Sequence, residues 1–402
     1  MGANDNPEAV NKPRGVTSAD VVRKLQHHFN PSQLFKPWLD TEKARLQRER
    51  AASHSGRKQR RFQKHLDVKI GHGGTLDPLA TGILVTGIGV GTKHLHDFLS
   101  CTKTYEAVVL FGAETDTYDR LGRVVRRAPY EHITREAVQK TIDQSFRGTI
   151  MQRPPIFSAV RFQGKRLYEY AREGRVPPVE IRARPVDVAN MQILEWYPPG
   201  SQHEYKWPEQ EMTGDEKAAA EQLLDKDDDA AAAYDKAALH SSSTKRKQPS
   251  ASSTPEAATA GSGDAAPPDS KKQKNTITTD DSANSVQHEA SPEQEAAAQP
   301  RSAEEDKPSE STDVTLSPLA VKVVMTVTSG FYVRSFAHDL GKALGSCGLM
   351  GSLVRTRQGD FSLGPDKVLE YSDLDAGEDV WGYKVRRFLE DWRSKNMAEQ
   401  KD

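Results

Sequence analysis

Asp77 lies in "GHGGTLDPLATGIL", residues 71–84, a lone carboxylate among four glycines and small or apolar neighbours. Gly71, Gly73 and Gly74 permit positive φ and close backbone approach, so His72, Thr75 and Asp77 can be presented on a tight loop. A carboxylate presented in this way can act as a nucleophile or as a general base. The plain structural alternative is a cap, because Asp77 followed by Pro78 has the form of a helix N-cap with proline at the first helical position. Other glycine-rich chemistries fail on spacing. A phosphate-cradling loop needs glycine, four residues, then Gly-Lys-Ser/Thr. Counted from Gly87, "GIGVGTKH" has Thr92 where the second glycine belongs and His94 after Lys93. A GxGxxG fingerprint is missing too, since Leu76 and Thr92 occupy its last position in the two stretches. A metal held by His72 and Asp77 would find only His94 and His96 nearby as further ligands.

The elements that must position these groups form only part of the chain. Of 402 residues, 36% are hydrophobic and mean hydropathy is -0.72, low for one continuous globule. Residues 209–316 are rich in Ala, Ser, Asp, Glu, Pro and Lys, with Tyr234 as the sole aromatic residue. Such a segment cannot bury enough apolar surface to offset roughly 1–2 kcal/mol per residue of backbone ordering. It is expected to be a disordered low-complexity insertion, with a transient helix at "DEKAAAEQLL". Its "KRK" (245–247) and "KKQK" (271–274) read either as a nuclear address or as solvated linker charge.

A second insertion spans 30–66 and holds "RKQRRFQK" (57–64), a basic cluster suited to phosphate contact, against the plain reading of a solvated loop. The remainder, 11–200 and 317–371, is expected to form one catalytic domain. "TYEAVVLFG" (104–112) and "AVKVVMTV" (320–327) read as strands; "HITREAVQKTIDQSF" (132–146) and "VRSFAHDLGKAL" (333–344) read as helices. Strands with interspersed helices and no regular βαβ repeat predict an α+β fold: a mixed, mostly antiparallel central sheet flanked by helices. Residues 372–402 read as a helical tail with Val380, Trp381, Val385, Phe388 and Leu389 on one apolar stripe.

Lys plus Arg number 56 against 57 Asp plus Glu, a net charge of -1. The acidic residues concentrate in the 209–316 stretch, which leaves a basic body. Cys101 and Cys347 are far apart and in no CxxC arrangement, which predicts a reducing compartment and no zinc site. No apolar run reaches the roughly 18 residues of a membrane span, and "MGANDNPEAV" has no signal-peptide core. A soluble intracellular monomer with no membrane partner is expected.

"GHGGTLDPLATGIL" resembles the catalytic-aspartate motif of the TruB family of tRNA pseudouridine synthases, which isomerise the uridine at position 55 in the tRNA T-loop. Four more blocks follow the family's order: "NKPRGVTSADVVRKL" (11–25), "KTYEAVVLFGAETDTYDRLG" (103–122), "PPIFSAVRFQGKRLYEYAREG" (154–174) and "SGFYVRSFAHDLG" (329–341). The resemblance covers about half the chain. It implies the pseudouridine-synthase fold, no cofactor, and the T-arm of tRNA as partner. Residue by residue, it implies Asp77 as the catalytic aspartate, Tyr105 as the aromatic residue stacked on the extruded uracil, and Arg334 as the arginine paired with the aspartate. His72 would approach the place vacated by the flipped base, and Lys93 and Asp119 match further active-site positions.

The residue types suit those roles. A uridine in a folded loop must be extruded before its glycosidic bond can be broken, and Tyr105 supplies a face for the free base. Burial alone would neutralise a carboxyl group, whereas an adjacent cation favours the charged form. Arg334 is such a cation, fixed and planar. Attack by Asp77 on the ribose C1′ and abstraction at C2′ leading to a glycal both need the same carboxylate in the same place. Tyr105 would also lie near the C5 proton of the base. Lys12, Arg14, Arg161, Lys165, Arg166 and the 57–64 cluster are the expected RNA contacts.

Bacterial and archaeal relatives carry a C-terminal RNA-binding domain of the PUA type, for which the residues after 371 are too few. This departure points to a fungal-type stand-alone member working in the nucleus. Two other readings stand beside it: the catalytic subunit of a guide-RNA particle, and an RNA-folding chaperone that binds the T-arm without needing catalysis.

Overall fold

Runs rich in β-branched residues form the strands of the computed structural model, which describes residues 7–52, 66–173, 181–222, 224 and 317–399. In chain order the strands are β1 (Pro7–Lys12), β2 (Ile70–His72), β3 (Thr81–Ile88), β4 (Lys103–Phe111), β5 (Ala113–Thr115), β6 (Val124–Arg127) and β7 (Gly148–Gln152). They continue as β8 (Arg161–Phe162), β9 (Lys165–Arg166), β10 (Arg184–Tyr197), β11 (Ala320–Val327), β12 (Gly348–Gln358), β13 (Phe361–Ser362) and β14 (Leu369–Glu370). The main sheet runs β14-β1-β3-β12-β4-β11-β10-β7, with β2 on β3 and β13 on β12. β1 and β14 pair parallel, as do β3 and β12, and the other pairs are antiparallel. The fold is therefore α+β with a mixed, mostly antiparallel sheet, as the alternation of strand and helix patterns predicts.

Helices α1 (Ser18–Phe29), α2 (Lys36–Ala52), α3 (Leu95–Ser100), α4 (Arg135–Ser145), α5 (Leu167–Arg172), α6 (Val333–Ala343) and α7 (Glu378–Glu399) flank this sheet. One face carries the main core, where Val10, Leu84, Val109 and Val323 meet Leu25 of α1, Ile142 of α4, Phe336 of α6 and Val385 of α7. α1 starts on a capping box: Asp20 N–H donates to the Thr17 hydroxyl, and Thr17 N–H donates to the Asp20 carboxylate. α6 has no such side-chain cap. The Gln152 amide instead donates to Tyr332 C=O at 3.0 Å and accepts from Tyr332 N–H at 2.7 Å, so β7 holds the start of α6.

The structure revises three expectations. Residues 30–66 do not begin as a hanging loop: Phe35 is fully buried and stacks on Phe29 at 4.6 Å, and Phe29 packs on Trp381 at 4.9 Å. Glu378 accepts from Gln33 and Leu34 N–H, tying that stretch to α7. Apolar Phe35 and Leu39, overlooked among the charges, are what anchor it; the 57–64 cluster lies outside the described residues. Nor does order stop at 209, because Met212 and Leu224 are buried and residues 214–222 are helical. In α7, Trp381, Val385 and Leu389 are buried, whereas Val380 is 36% exposed, so the apolar stripe is narrower than expected. Gly200 N–H donates to Ser317 C=O at 2.8 Å, so the stretch that follows β10 and the one that leads into β11 meet there. Residues 225–316, which hold most of the expected disordered insertion, lie outside the described residues.

Glu8 is buried on β1, and among the described residues its carboxylate accepts one hydrogen bond, from the Thr86 hydroxyl at 3.3 Å. Burial pushes its carboxyl up to about 8, against a smaller opposing effect of that hydrogen bond. Because the folded value lies above the unfolded one, Glu8 contributes stability that is full below about 4.5 and lost as pH rises through about 8. Glu8→Gln is expected to be more stable than the parent at pH 8.5 by about 1–3 kcal/mol, a few degrees in Tm. The gap should close toward pH 5. Thermal melts at both pH values check this, and an equal gap at each would remove the burial argument.

Candidate active site

The loop carrying Asp77 is shaped by what surrounds it. A Cβ on Gly73 would stand 2.6 Å from the Phe98 Cβ of α3. Gly82, at φ +98°, passes so close to β12 that a Cβ would meet Arg355 C=O at 2.3 Å. Gln358 and Arg355 of β12 fasten the loop from below: the Gln358 amide donates to Gly73 C=O at 2.6 Å, and Arg355 Nη2 donates to Gly74 C=O at 3.2 Å. Asp77 does not cap a helix. It opens a tight turn in which Ala80 N–H donates to Asp77 C=O at 3.0 Å, and β3 follows at once. The cap reading fails because residues 81–88 pair as a strand with β1, β2 and β12.

Arg334, in the first turn of α6, donates from Nε to Asp77 Oδ2 at 2.8 Å and from Nη2 to Oδ1 at 3.3 Å. Its remaining donors reach Thr117 C=O at 3.1 Å and Phe157 C=O at 3.0 Å. The planar fork is thus held by two carbonyls while it grips one carboxylate. The Arg334 side chain is 8% exposed and that of Asp77 32%, so the guanidinium is buried while the carboxylate keeps an open face. A cation at a helix N-terminus is disfavoured by the helix dipole, so α6 alone would not select arginine here. Burial works against its charge as well, yet the Asp77 and Asp119 carboxylates outweigh it and hold the guanidinium above its ordinary range.

Asp119 stands 3.9 Å from Arg334 Nε and is itself buried. Its carboxylate accepts from the Thr117 hydroxyl and Leu121 N–H, both at 2.9 Å. Burial raises its pKa, opposed by Arg334 and these hydrogen bonds. The adjacent Tyr118 adopts φ +61°, a left-handed conformation that costs a non-glycine residue about 1–2 kcal/mol. Its ring stacks on His338 of α6 at 4.2 Å, and His338 faces Glu114 at 3.6 Å.

His72 is half-buried on β2, opposite Thr86. Among the described residues its buried Nδ1 has no hydrogen-bond partner, and burial together with Arg355 lowers its pKa, which favours the neutral ring. Tyr105, half-buried on β4, lies in register with Met325 of β11 and Arg355 of β12, the residue that also pairs with Gly82. One cross-strand row thus links Tyr105 to the strand that follows Asp77.

Among the expected RNA contacts, Lys12 is corrected. It is fully buried, and its ammonium donates to Val16, Pro13 and Pro78 C=O at 2.7, 2.8 and 3.4 Å. No donor is left for a phosphate, so Lys12 braces the loop beside Asp77. Burial pulls its pKa down to about 8, with the Asp77 charge opposing and Arg355 reinforcing that fall. Arg14 is exposed on the neighbouring loop, where Gly15 N–H donates to Pro78 C=O. Lys93 is exposed at the end of the 3-10 turn Gly89–Lys93 and makes no hydrogen bond or ion pair with Asp77. Arg161 and Lys165 stand on the β8-β9 hairpin, where Lys165 pairs with Glu173 at 2.5 Å. Gln152, Thr117, Arg355 and His338 were not singled out from the sequence. A visible signal for Arg355 is a charged residue within the otherwise apolar start of the "GLMGSLVRTRQ" strand.

A forked arginine on a carboxylate, on the sheet that also carries the half-buried Tyr105, agrees with the site expected of the pseudouridine-synthase class. The description "TruB family pseudouridylate synthase (N terminal domain)" matches residues 59–209. The "tRNA pseudouridine synthase 4" of Schizosaccharomyces pombe is 37% identical over 375 residues, covering 92% of this chain and 82% of that protein. The Saccharomyces cerevisiae protein of the same name is 28% identical over 396 residues, covering 98% and 86%. A solved chain from a Cbf5-Nop10-Gar1 complex aligns with a TM-score of 0.44 at 16% identity, covering 96% of this chain and 60% of that one. The chain belongs to the TruB family of pseudouridylate synthases.

Proposed function

We propose that this protein converts the uridine at position 55 in the T-loop of tRNA to pseudouridine. The observation that carries the reading is the two-point ion pair of Asp77 and Arg334 on a carboxylate with one open face. The tRNA substrate is supported by the two fungal relatives, each a tRNA pseudouridine synthase 4. The target nucleotide is extruded from the folded loop, because a stacked base keeps its glycosidic bond out of reach. Asp77 then acts on the ribose, at C1′ as a nucleophile or at C2′ as a base. The detached uracil turns against Tyr105 and rejoins the sugar through C5, with neutral His72 near the space left in the RNA. No net redox change or group transfer occurs, so the isomerisation needs no redox cofactor.

Arg14, Arg161, Lys165 and the 57–64 cluster supply phosphate contacts, and Lys93 is a further substrate-binding residue. Asp119, turned toward Arg334, orients the guanidinium instead of touching the RNA. The nucleus is the proposed place of work, on the strength of the basic runs at 245–247 and 271–274, which lie outside the described residues.

Purified protein with an unmodified tRNA transcript tests the reaction directly, by mapping pseudouridine in the product. Product formed without a guide RNA fits a stand-alone enzyme, whereas product formed only with one would overturn that part. Tyr105→Phe is expected to stay within about threefold of the parent rate, because the stacking face is kept. Tyr105→Ala should lose about 10- to 100-fold, from a base-stacking contribution of about 1–3 kcal/mol. Equal rates for the two variants would take Tyr105 away from the base.

A further inference from the structure

The start of the long insertion packs against Tyr118, the residue between two that contact Arg334. Residues 210–212 lie along β6, where Val124 N–H donates to Gln210 C=O at 2.8 Å and Met212 N–H donates to Val124 C=O at 2.9 Å, and residues 214–222 follow as a helix. Two ion pairs follow, Arg127 with Glu211 at 2.8 Å and Arg123 with Glu216 at 2.7 Å. Exposed pairs of this kind contribute little by themselves. The anchor is apolar: Met212 and Leu224 are buried in a small cluster with Val125 and Tyr118, and Ala220 packs against it.

Tyr118 connects this stem to the reaction centre. It stands between Thr117, whose carbonyl accepts from Arg334, and Asp119, whose carboxylate faces the same guanidinium. Its ring stacks on His338, one helical turn after Arg334. Met350 N–H donates to Tyr118 C=O, which holds only the backbone of the loop. The side chain, carried on a backbone in the left-handed region, is gripped by α6 and by the stem.

We propose that the stem, through Met212 and Leu224 packed on Tyr118, positions the Thr117–Asp119 loop and so orients Arg334 toward Asp77. Met212 and Leu224 are positioning residues for turnover, not for RNA binding. This rests on the proposed reaction. A misplacement of about 1 Å at a reacting group can cost about 100-fold in rate, so a loosened loop registers in the chemical step.

The test uses the full chain carrying Met212→Ala and Leu224→Ala together, with single-turnover pseudouridine formation and tRNA Kd measured in parallel. The rate is expected to fall at least about tenfold while Kd stays within about threefold, and Met212→Leu alone should remain near the parent. Glu211→Arg, which leaves the apolar cluster intact, should lower the rate about threefold, and adding Arg127→Glu should restore it. This charge series decides the matter if the double alanine variant does not fold. Rates within about twofold of the parent in the series that folds, or losses confined to Kd, would overturn the role of the stem. A parent that makes no pseudouridine in tRNA would instead remove the reaction on which it rests.

Discussion

Asp77→Asn is expected to abolish pseudouridine formation, with a rate at least about 1,000-fold below the parent, while tRNA Kd stays within a few fold. The amide keeps the size and much of the hydrogen bonding of the carboxylate but loses its charge and its basicity. Arg334 then keeps its bonds to Thr117 and Phe157 C=O but faces a neutral oxygen. Losing the charge of one partner in a buried pair is costly, and the residual negative charge comes from Asp119 at 3.9 Å. Some loss of thermal stability should therefore accompany the loss of turnover. Retained turnover would remove Asp77 from its role, and a parallel loss of binding would suggest that the whole site had moved.

Arg334→Lys should be nearly as severe, with a rate about 100-fold or more below the parent. A lysine ammonium is a point charge, and it cannot make the two parallel bonds to Asp77 while also donating to Thr117 and Phe157 C=O. Those carbonyls would be left unpaired in a buried place, at about 1–3 kcal/mol each. The loss should appear in the single-turnover rate and in Tm together, with tRNA Kd the least affected. A lysine variant with the parent rate would mean that charge alone, without fork geometry, is enough.

Secondary structure was legible wherever periodicity is local. The strands at 103–111 and 320–327 and the helices at 135–145 and 333–343 sit inside the stretches whose spacing predicts them, give or take a residue. The site was legible in a different way. Asp77 and Arg334 are 257 positions apart, and no window around either one points to the other. That partnership came from resemblance, and the geometry now gives it distances. Where local signals misled, long-range packing was the reason. Asp-Pro has the chemistry of a cap, but strand pairing from three neighbours claimed the residues that follow. Lys12 has the charge of a phosphate ligand, yet backbone carbonyls of its own loop enclose it. Arg355 drew no notice because its partners, Ile83 and Gly74 C=O, lie 272 and 281 positions away.

The bond from Gly200 N–H to Ser317 C=O also bears on how sequences of this kind can diverge. For a connection that departs after Leu224 and returns at Ser317, the entropy of closure grows only logarithmically with length, about 0.6 kcal/mol per doubling. Beyond Leu224, added or deleted residues therefore have little thermodynamic consequence for the sheet. Natural selection is free to vary the span there, and a foreign module could be spliced in, provided the first twenty or so residues after Gly200 are left as they are.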